Sequence, residues 1–284
     1  MTKIKFIVFW LFLALATIVF NSCSKDDDSK QEVTSISLDK QTLTLSIGED
    51  YSLTLTVSDN AIDKTVTWTS SSDAIATISA DGKVNATATG TATITAKVGN
   101  LTAACVVTVI DGVVINGIKW ATRNVDKPGT FAAKPEDPGM FYQWNSKKAW
   151  AVTGDATDWD DALPEGDTWE RLNDPSPEGW RIPTLDELKK LSDPDKVSIE
   201  WTTRNGINGR KSTDKATGHT LFMPAVGSLN YFGRLSFADM DGYYWCSWES
   251  DAYSAYGLDF NVNNNTVWLN YSRILGLSVR AVAE

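Results

Sequence analysis

The segment GTATITA, residues 90–96, places threonine at every second position and an apolar residue at the positions between. Alternation with a period of two predicts a β-strand that buries one face and exposes the other to water. The same alternation recurs over residues 43–57 and 105–109, and glycine, asparagine or aspartate interrupts the pattern between these segments. Short strands joined by such turns predict a small all-β sandwich over residues 33–109.

Five segments of this region carry the residue combinations of a known family. They are Ile47-Gly48-Glu49, Val66-Thr67-Trp68-Thr69-Ser70-Ser71, Ile75-Ala76-Thr77-Ile78, Gly82-Lys83-Val84 and Gly90-Thr91-Ala92-Thr93-Ile94-Thr95-Ala96. In this order they resemble the bacterial Ig-like domain of group 2, whose members look like stalks and spacers in surface proteins and in some cases take part in adhesion. The resemblance implies an Ig-like stalk. The register also places Cys105 on the buried face, where we expect it to fill the core.

The N-terminus combines a short basic start with an apolar run over residues 6–20. A membrane-spanning helix needs about 20 apolar residues, so this shorter run is typical of a secretory signal. Ser22 and Cys23 follow it, a pattern that resembles a lipobox. The next stretch, SKDDDSK at residues 24–30, resembles the acidic segment after the lipidated cysteine of surface-exposed lipoproteins in the Bacteroidetes.

These N-terminal features predict a lipid-anchored protein. We expect a signal peptide over residues 1–22, lipidation of Cys23, and an acidic tether over residues 23–32 that is too polar and charged to fold. The predicted location is the outer membrane, exposed at the cell surface, with the lipid anchor as the contact to the membrane. The alternative is an ordinary signal peptide followed by an incidental cysteine.

The charge and the cysteine count exclude several classes of protein. The formal net charge is −10 and no cluster of Lys and Arg occurs, so nucleic acid is not an expected partner. If Cys23 is acylated, Cys105 and Cys246 remain, one in each predicted domain. We therefore expect no disulfide framework, and each domain should be held by its own core.

Composition changes after residue 109, because ten of the twelve tryptophans lie beyond that point. A region rich in Trp and Gly with few long periodic segments predicts a loop-rich α+β domain over residues 110–284. One helix is expected, from the capping box at Thr184 and Glu187 to the stop at Asp193-Pro194. Strands are expected over residues 117–124, 220–223, 243–248, 257–260, 267–271 and 277–282, with a hairpin turn at residues 263–265.

Six segments of this region follow the order of a second known family. They are Gly117-Ile118-Lys119-Trp120-Ala121-Thr122-Arg123-Asn124, Gly139-Met140-Phe141-Tyr142-Gln143-Trp144, Pro177-Glu178-Gly179-Trp180-Arg181-Ile182-Pro183-Thr184, Leu221-Phe222-Met223-Pro224-Ala225-Val226-Gly227, Gly242-Tyr243-Tyr244-Trp245 and Ser278-Val279-Arg280-Ala281-Val282. They resemble the Fibrobacter succinogenes major paralogous domain, whose members look like C-type lectin-like folds. We expect Trp120, Trp180 and Trp245, which lie inside these motifs, to be structural.

The candidate ligand-binding residues are Trp150, Trp159 and Trp169, which lie among Asn and Asp in a loop-rich stretch. Exposed aromatic rings stack on sugar rings and also anchor protein interfaces. An exposed, coplanar group of these three tryptophans would form a binding platform, whereas a buried group would be core. No metal or cofactor is predicted. The acidic residues Asp155, Asp158, Asp160 and Asp161 could supply oxygen ligands to calcium, but they lack the spacing of a calcium loop, and a solvated loop is the alternative.

Catalysis is not expected, because the chain holds a single histidine, His219, and no nucleophile–base constellation. The leading hypothesis is an adhesin-like or glycan-binding lipoprotein that binds a glycan or a surface protein through its C-terminal domain. Two alternatives remain: a structural or assembly component of a cell-surface complex, and an enzyme acting on surface polymers.

Overall fold

The structure, a computed structural model, describes residues 33–58, 65–151, 156–263 and 267–284. The predicted signal peptide, Cys23 and the tether lie outside these residues, as do Asp155 and most of the predicted turn at residues 263–265. Within the described ranges, no helix is both long and apolar enough to cross a membrane.

The first domain consists of short strands, as the alternating pattern predicts. In the described part of residues 33–110 there are nine: β1 (Ile36–Leu38), β2 (Thr42–Ser46), β3 (Asp50–Ser52), β4 (Leu55–Val57), β5 (Thr67–Ser70), β6 (Ala76–Ile78), β7 (Lys83–Ala86), β8 (Gly90–Val98) and β9 (Leu101–Ile110). They form a four-stranded sheet in the order β2-β9-β8-β5, a three-stranded sheet in the order β3-β7-β6, and the pair β1-β4. All neighbours are antiparallel except β2 and β9.

The segment GTATITA lies in β8 and behaves as its period predicts. Ala92, Ile94 and Ala96 are buried, and the threonines between them are half-buried or exposed. Ala92 and Ile94 pack with Val84, from the opposite sheet, and with Cys105 in one core. Cys105 is fully buried and unpaired, which confirms it as a core residue.

The second domain is also mostly β-structure. Its described strands are β10 (Gly112–Ile115), β11 (Ile118–Ala121), β12 (Phe141–Tyr142), β13 (Ala149–Trp150), β14 (Trp180–Arg181), β15 (Val197–Arg204), β16 (Ile207–Asp214), β17 (Thr220–Pro224), β18 (Ser228–Leu229), β19 (Leu235–Ser236), β20 (Asp241–Asp251), β21 (Ser254–Asn261), β22 (Val267–Ser272) and β23 (Val282–Ala283). The sheets are β10-β11-β23-β14, β15-β16-β17, β20-β21-β22 and the pairs β12-β13 and β18-β19.

The single predicted helix is confirmed as α1 (Leu185–Lys190). The Thr184 side chain accepts a hydrogen bond from the Glu187 amide at 3.3 Å, and the Glu187 carboxylate accepts one from the Thr184 amide at 2.8 Å. This reciprocal pairing is the capping box expected from the spacing. Leu185 and Leu188 are buried, so the helix presents an apolar face to the core.

The expected α+β class is not supported for this domain: it is mostly β-structure, and α1, six residues long, is the one α-helix in the described ranges. The hairpin of β15 and β16 was not predicted, although Asn205-Gly206 is a strong turn signal. Both turn residues adopt positive φ, 47° and 85°, as a tight hairpin turn requires. The predicted strand over residues 277–282 is also largely wrong, since only Val282 belongs to a strand, β23.

The motif tryptophans are structural, as expected. Trp120 and Trp245 are fully buried and Trp180 nearly so. Trp120 packs in one core with Leu188 of α1, whereas Trp180 and Trp245 share a second core. Large rings therefore fill much of the interior of a domain that has little regular helix.

The connection between the two domains is short, since only Asp111 separates β9 from β10. The domains also contact each other through side chains. The Arg204 guanidinium pairs with the Glu49 carboxylate of the first domain and lies 3.2 Å from Glu136 Oε2 of the second. Asn205 Nδ2 donates to the other Glu136 oxygen at 2.7 Å. Glu136 is buried, so these charges are partly removed from water and are held in one network.

Gly48 brings the backbones of the two domains together. It adopts a φ of +83°, and a Cβ at this position would lie 2.2 Å from Ala133 O of the second domain. A side chain there would be strained and would also push the domains apart. The glycine of Ile47-Gly48-Glu49 is therefore required by a contact between domains as well as by its own turn.

We predict a measurable coupling between Glu49 and Arg204. In a double-mutant cycle of Glu49→Gln and Arg204→Met, the coupling in the free energy of unfolding should be about 0.5–3 kcal/mol, as for residues in one network. The control is the cross-strand pair Glu200 and Lys211, whose side chains are 59% and 37% exposed. The same cycle there should give less than about 1 kcal/mol. Equal coupling at both pairs, measured by chemical denaturation, would contradict a specific domain contact.

Candidate ligand-binding site

Two of the three candidate tryptophans pack against each other. The ring centroids of Trp150 and Trp159 are 4.8 Å apart with an interplanar angle of 49°. Trp150 is only 5% exposed and belongs to a core cluster with Phe141 and Leu229. Trp159 is half-buried and packs against this cluster. The two rings thus form part of a core and are not coplanar.

Trp169 lies in a different core. It is 8% exposed, contacts Trp144 with ring centroids 5.8 Å apart, and donates from Nε1 to Asn173 O at 3.0 Å. Of the two alternatives, the structure shows core packing: Trp150 and Trp169 are buried, and the three tryptophans do not form an exposed coplanar platform. The physical reason is that this stretch has few regular strands. Its tryptophan side chains therefore fill space in the core that strand side chains would otherwise occupy.

Trp159 supports a neighbouring hairpin tip. A Cβ on Gly233, in the turn between β18 and β19, would lie 3.0 Å from the Trp159 ring, and Ala156 N donates to Gly233 O at 2.8 Å. The turn presents Tyr231 and Phe232 to solvent. Trp159 therefore supports the tip of the β18-β19 hairpin, which exposes the Tyr231 and Phe232 rings.

The acidic loop shows the features of a solvated loop in its described part. Asp160 Oδ1 accepts from Ala162 N at 3.0 Å, and the Asp158 carbonyl accepts from Lys148 Nζ at 3.3 Å. Within the described ranges, no group of three or more His, Cys, Asp or Glu residues is placed to hold a metal ion. Asp155 lies outside those ranges.

Cys246 and His219 are not brought together as a reactive pair. Cys246 is fully buried in a core, where desolvation raises the pKa of its thiol to about 12. His219 is exposed in the turn before β17 and lines a cavity of about 220 Å³ between the two domains. A thiol with this pKa stays protonated and unreactive at neutral pH.

A cavity with largely apolar walls lies at the open end of the β20-β21 hairpin, opposite its turn. We call it the Phe237 cavity; its volume is about 440 Å³, and it is lined by Trp201, Asn208, Phe237, Asp239, Met240, Asp241, Asn261, Val262 and Asn263. Phe237, Met240 and Val262 are 56%, 62% and 63% exposed. Ligand pockets typically measure about 300–1,000 Å³ and combine apolar walls with a few polar groups, and this cavity has both properties.

The loop that carries Phe237 has an unusual backbone. Phe237 and Asp239 adopt positive φ angles of 59° and 64°, which is costly for residues other than glycine and rare for a bulky one. Phe237 O accepts hydrogen bonds from the amides of Met240 and Asp241 at 3.1 and 3.0 Å, which closes a tight turn. Such strain persists only where surrounding contacts enforce it, and it concentrates at functional sites.

Three hydrogen bonds hold this loop to strand β16 and to the segment between β17 and β18. Asp239 N donates to Ala225 O at 2.7 Å, and Asn208 N of β16 donates to Asp239 Oδ1 at 3.1 Å. Gly227 N donates to Asp241 O at 2.8 Å. A Cβ on Gly227 would lie 2.1 Å from Ser236 O, so the close approach of the two segments requires glycine. The Phe237 ring is therefore exposed on a fixed backbone.

Carboxylates and tyrosines surround the base of the loop. Asp259 pairs in register with Tyr243, and its Oδ2 accepts from the Tyr271 hydroxyl at 3.0 Å. Burial, together with the nearby Asp241, raises the pKa of Asp259. Burial and both aspartates also raise the pKa of Tyr243, so the tyrosine is protonated at neutral pH. The region around the cavity therefore has a negative electrostatic potential.

The residues of the Phe237 cavity were not predicted as a site. Trp201 and Asn208 face the cavity because the Asn205-Gly206 turn folds β15 against β16, and that turn was the available signal. The residues next to Phe237 in the sequence do not predict that its turn is strained and held by Ala225 and Asn208. The exposure of Phe237 could therefore not be predicted from local sequence.

Comparison with known proteins identifies the first domain. Residues 32–109 match the family model of the bacterial Ig-like domain (group 2). This segment is a bacterial Ig-like domain. Over 81 residues the chain is 46% identical to an Ig-like virion protein of Serratia phage KSP90, and the match covers 27% of this chain and 31% of that protein. The chain thus spans about a third of the length of this curated relative.

Solved structures similar to the chain include parts of an S-layer protein. Domains 4 and 5 of the S-layer protein SbsC are 25% identical, with 28% of this chain and 52% of that chain covered and a TM-score of 0.25. Domains 5–6 of the same protein are 15% identical, with 84% and 96% covered and a TM-score of 0.28.

Stability should separate the core tryptophans from the cavity residues. We expect Trp150→Ala to lower the free energy of unfolding by about 3–5 kcal/mol, because it empties a packed core. Phe237→Ala should change it by no more than about 0.5 kcal/mol, because the ring is largely exposed. Thermal or chemical denaturation of both variants measures the difference. A small loss for Trp150→Ala would return this residue to the ligand-binding candidates.

Proposed function

We propose that the protein is an adhesin-like surface lipoprotein in which the Ig-like domain is the stalk and the C-terminal domain binds a ligand in the Phe237 cavity. The observation that carries this proposal is the cavity itself, where three exposed apolar side chains surround a backbone held in a strained conformation. Exposed apolar patches of this kind are typical of interaction sites. The proposed activity is binding without catalysis.

The proposed lectin-like character of the C-terminal domain rests on its six sequence motifs, and these motifs pack on one another. Three of the six motifs contribute the strands β11, β14 and β23, which are neighbours in one sheet: Trp120 pairs with Val282, and Trp180 pairs with Ala283. The Trp245 indole of a fourth motif donates to the Tyr142 carbonyl of a fifth at 2.7 Å. The motifs thus pack on one another, as expected if they define a common fold.

The lipid anchor is supported by the sequence of residues 1–32, which combines an apolar run, Cys23 and an acidic stretch. We predict that Cys23→Ser moves the protein from the membrane fraction to the soluble fraction, as measured by fractionation and immunoblotting. A surface location would make the intact wild-type protein sensitive to protease added to whole cells. Retention of the Cys23→Ser variant in the membrane would argue for an ordinary signal peptide and another anchor.

Binding should depend on the exposed ring of Phe237. We predict that Phe237→Ala weakens binding to a glycan array or to host glycoproteins in a pull-down by about tenfold or more, the loss typical of a central aromatic contact. The matched control is Phe232→Ala, since Phe232 is 77% exposed but lies on the tip of the β18-β19 hairpin. Met240→Ala is a second variant within the cavity. Equal effects of Phe237→Ala and Phe232→Ala would place the binding surface elsewhere.

A structural role in a cell-surface complex is the second candidate. The contact of Gly48 with Ala133 and the pairing of Arg204 with Glu49 favour it, because they join the domains with little freedom at the single connecting residue. A stoichiometric partner that co-purifies with the intact protein and is retained by the Phe237→Ala variant would favour this role.

A further inference from the structure

We infer that the Phe237 cavity accepts a protruding Lys or Arg side chain of a protein partner. This inference rests on the proposed function, since it names the ligand chemistry of the same site. It follows from the charges and the walls of the cavity, taken together.

The charges of the cavity have one sign. Asp239 and Asp241 belong to its lining. Asp241 pairs with Asn261 on β21, and Asp259 lies on the same strand two residues before Asn261. None of the lining residues, all of which lie in the described part of the chain, is Lys, Arg or His. An anionic ligand such as a uronic acid would be repelled there, and a cation would be attracted.

One cation does lie behind this region, and it is not presented to the ligand. Arg210 stands opposite Trp201 in the β15-β16 pair and is 1% exposed. Its guanidinium donates to Leu191 O and to Ser192 Oγ, both at 2.8 Å, on the side of α1. Arg210 therefore moderates the negative potential from within but offers no donor at the cavity surface.

The walls fit the stem of a long basic side chain. Phe237, Met240 and Val262 offer apolar surface along which methylene groups can pack, while the charged end of such a side chain remains at the polar rim. The rings of Phe237 and Trp201 can also attract a cation through their π faces. A sugar ring would use the aromatic rings but would gain less from the exposed Met and Val side chains.

The loop that carries Phe237 already has a fixed conformation before a partner binds. Asp239 is fixed by Ala225 and Asn208, and the Asp241 backbone is fixed by Gly227. Charges held in place before binding reduce the entropy lost on association. Specificity for a cation thus arises from the fixed Asp239 carboxylate and from Asp241 on a fixed backbone, beside exposed apolar side chains.

The test uses the intact protein labelled with ¹⁵N and four small probes: N-acetyl-arginine amide, N-acetyl-lysine amide, N-acetyl-glutamate amide and methyl-glucoside. We expect the two cationic probes to shift the amide signals of residues 237–241 and the Trp201 indole signal. The glutamate probe should leave these signals unchanged. Salt at about 0.5 M should weaken the cationic shifts, because exposed charges are then screened within a few ångströms.

Charge variants distinguish this inference from a general apolar site. Asp239→Asn and Asp241→Asn keep the shape of the side chains and should each weaken cationic binding by roughly two- to fivefold, as for an exposed ion pair. Asp195→Asn, at an exposed position beyond α1, is the control and should have no effect.

The outcomes separate the two levels of the proposal. Stronger binding of methyl-glucoside than of either cation would overturn the charge inference and leave the cavity as the binding site. No shift with any probe would also overturn the charge inference, and the proposed function would then be judged by the Phe237→Ala comparison. Cationic shifts that survive both Asp variants would show that the carboxylates do not select the ligand.

Discussion

A fully buried charge, the guanidinium of Arg280, joins distant segments of the second domain. Its Nε donates to Asn124 Oδ1 at 3.0 Å, and Asn124 Nδ2 donates to the Tyr244 hydroxyl at 3.3 Å. That hydroxyl donates to the Pro224 carbonyl at 2.7 Å. Burial lowers the pKa of Arg280 to about 10, which still leaves it charged at neutral pH. Removing one of these polar partners costs about 1–3 kcal/mol, because the groups left behind remain desolvated and unpaired.

This network also determines where the cavity can form. Asn124, Pro224, Tyr244 and Arg280 lie in four different motifs, so the network fixes segments far apart in the chain. Pro224 ends β17, and the next residue supplies the carbonyl that holds the Asp239 amide. The strained turn at Phe237 is therefore anchored to a strand end that the buried arginine holds. Strain of this kind is tolerated at the surface because the interior beneath it is over-determined.

The sequence predicts features that depend on neighbours in the chain. The alternation in β8 placed Ile94 in the core, and the Thr184–Glu187 spacing placed the start of the helix, because both are local. The positions of Trp150 and Trp169 depend on which distant segments cover them, so composition alone could not separate core from surface. Phe237 is harder still, because its exposure and its backbone both result from contacts with other strands.

The connection between the domains bears on the proposed binding because it limits how the cavity can move relative to the Ig-like domain. A flexible linker would let the C-terminal domain search for a partner, but that freedom would be lost on binding and would weaken the complex. Here Asp111 alone separates the strands of the two domains, and Arg204 and Gly48 hold the contact beside it. In the proposed lipoprotein, that search would fall to the acidic tether expected over residues 23–32, whose composition is too charged to form a core. Reach and orientation would thus be divided between two parts of the chain, with the tether supplying reach and the domain contact fixing the direction in which the cavity is presented.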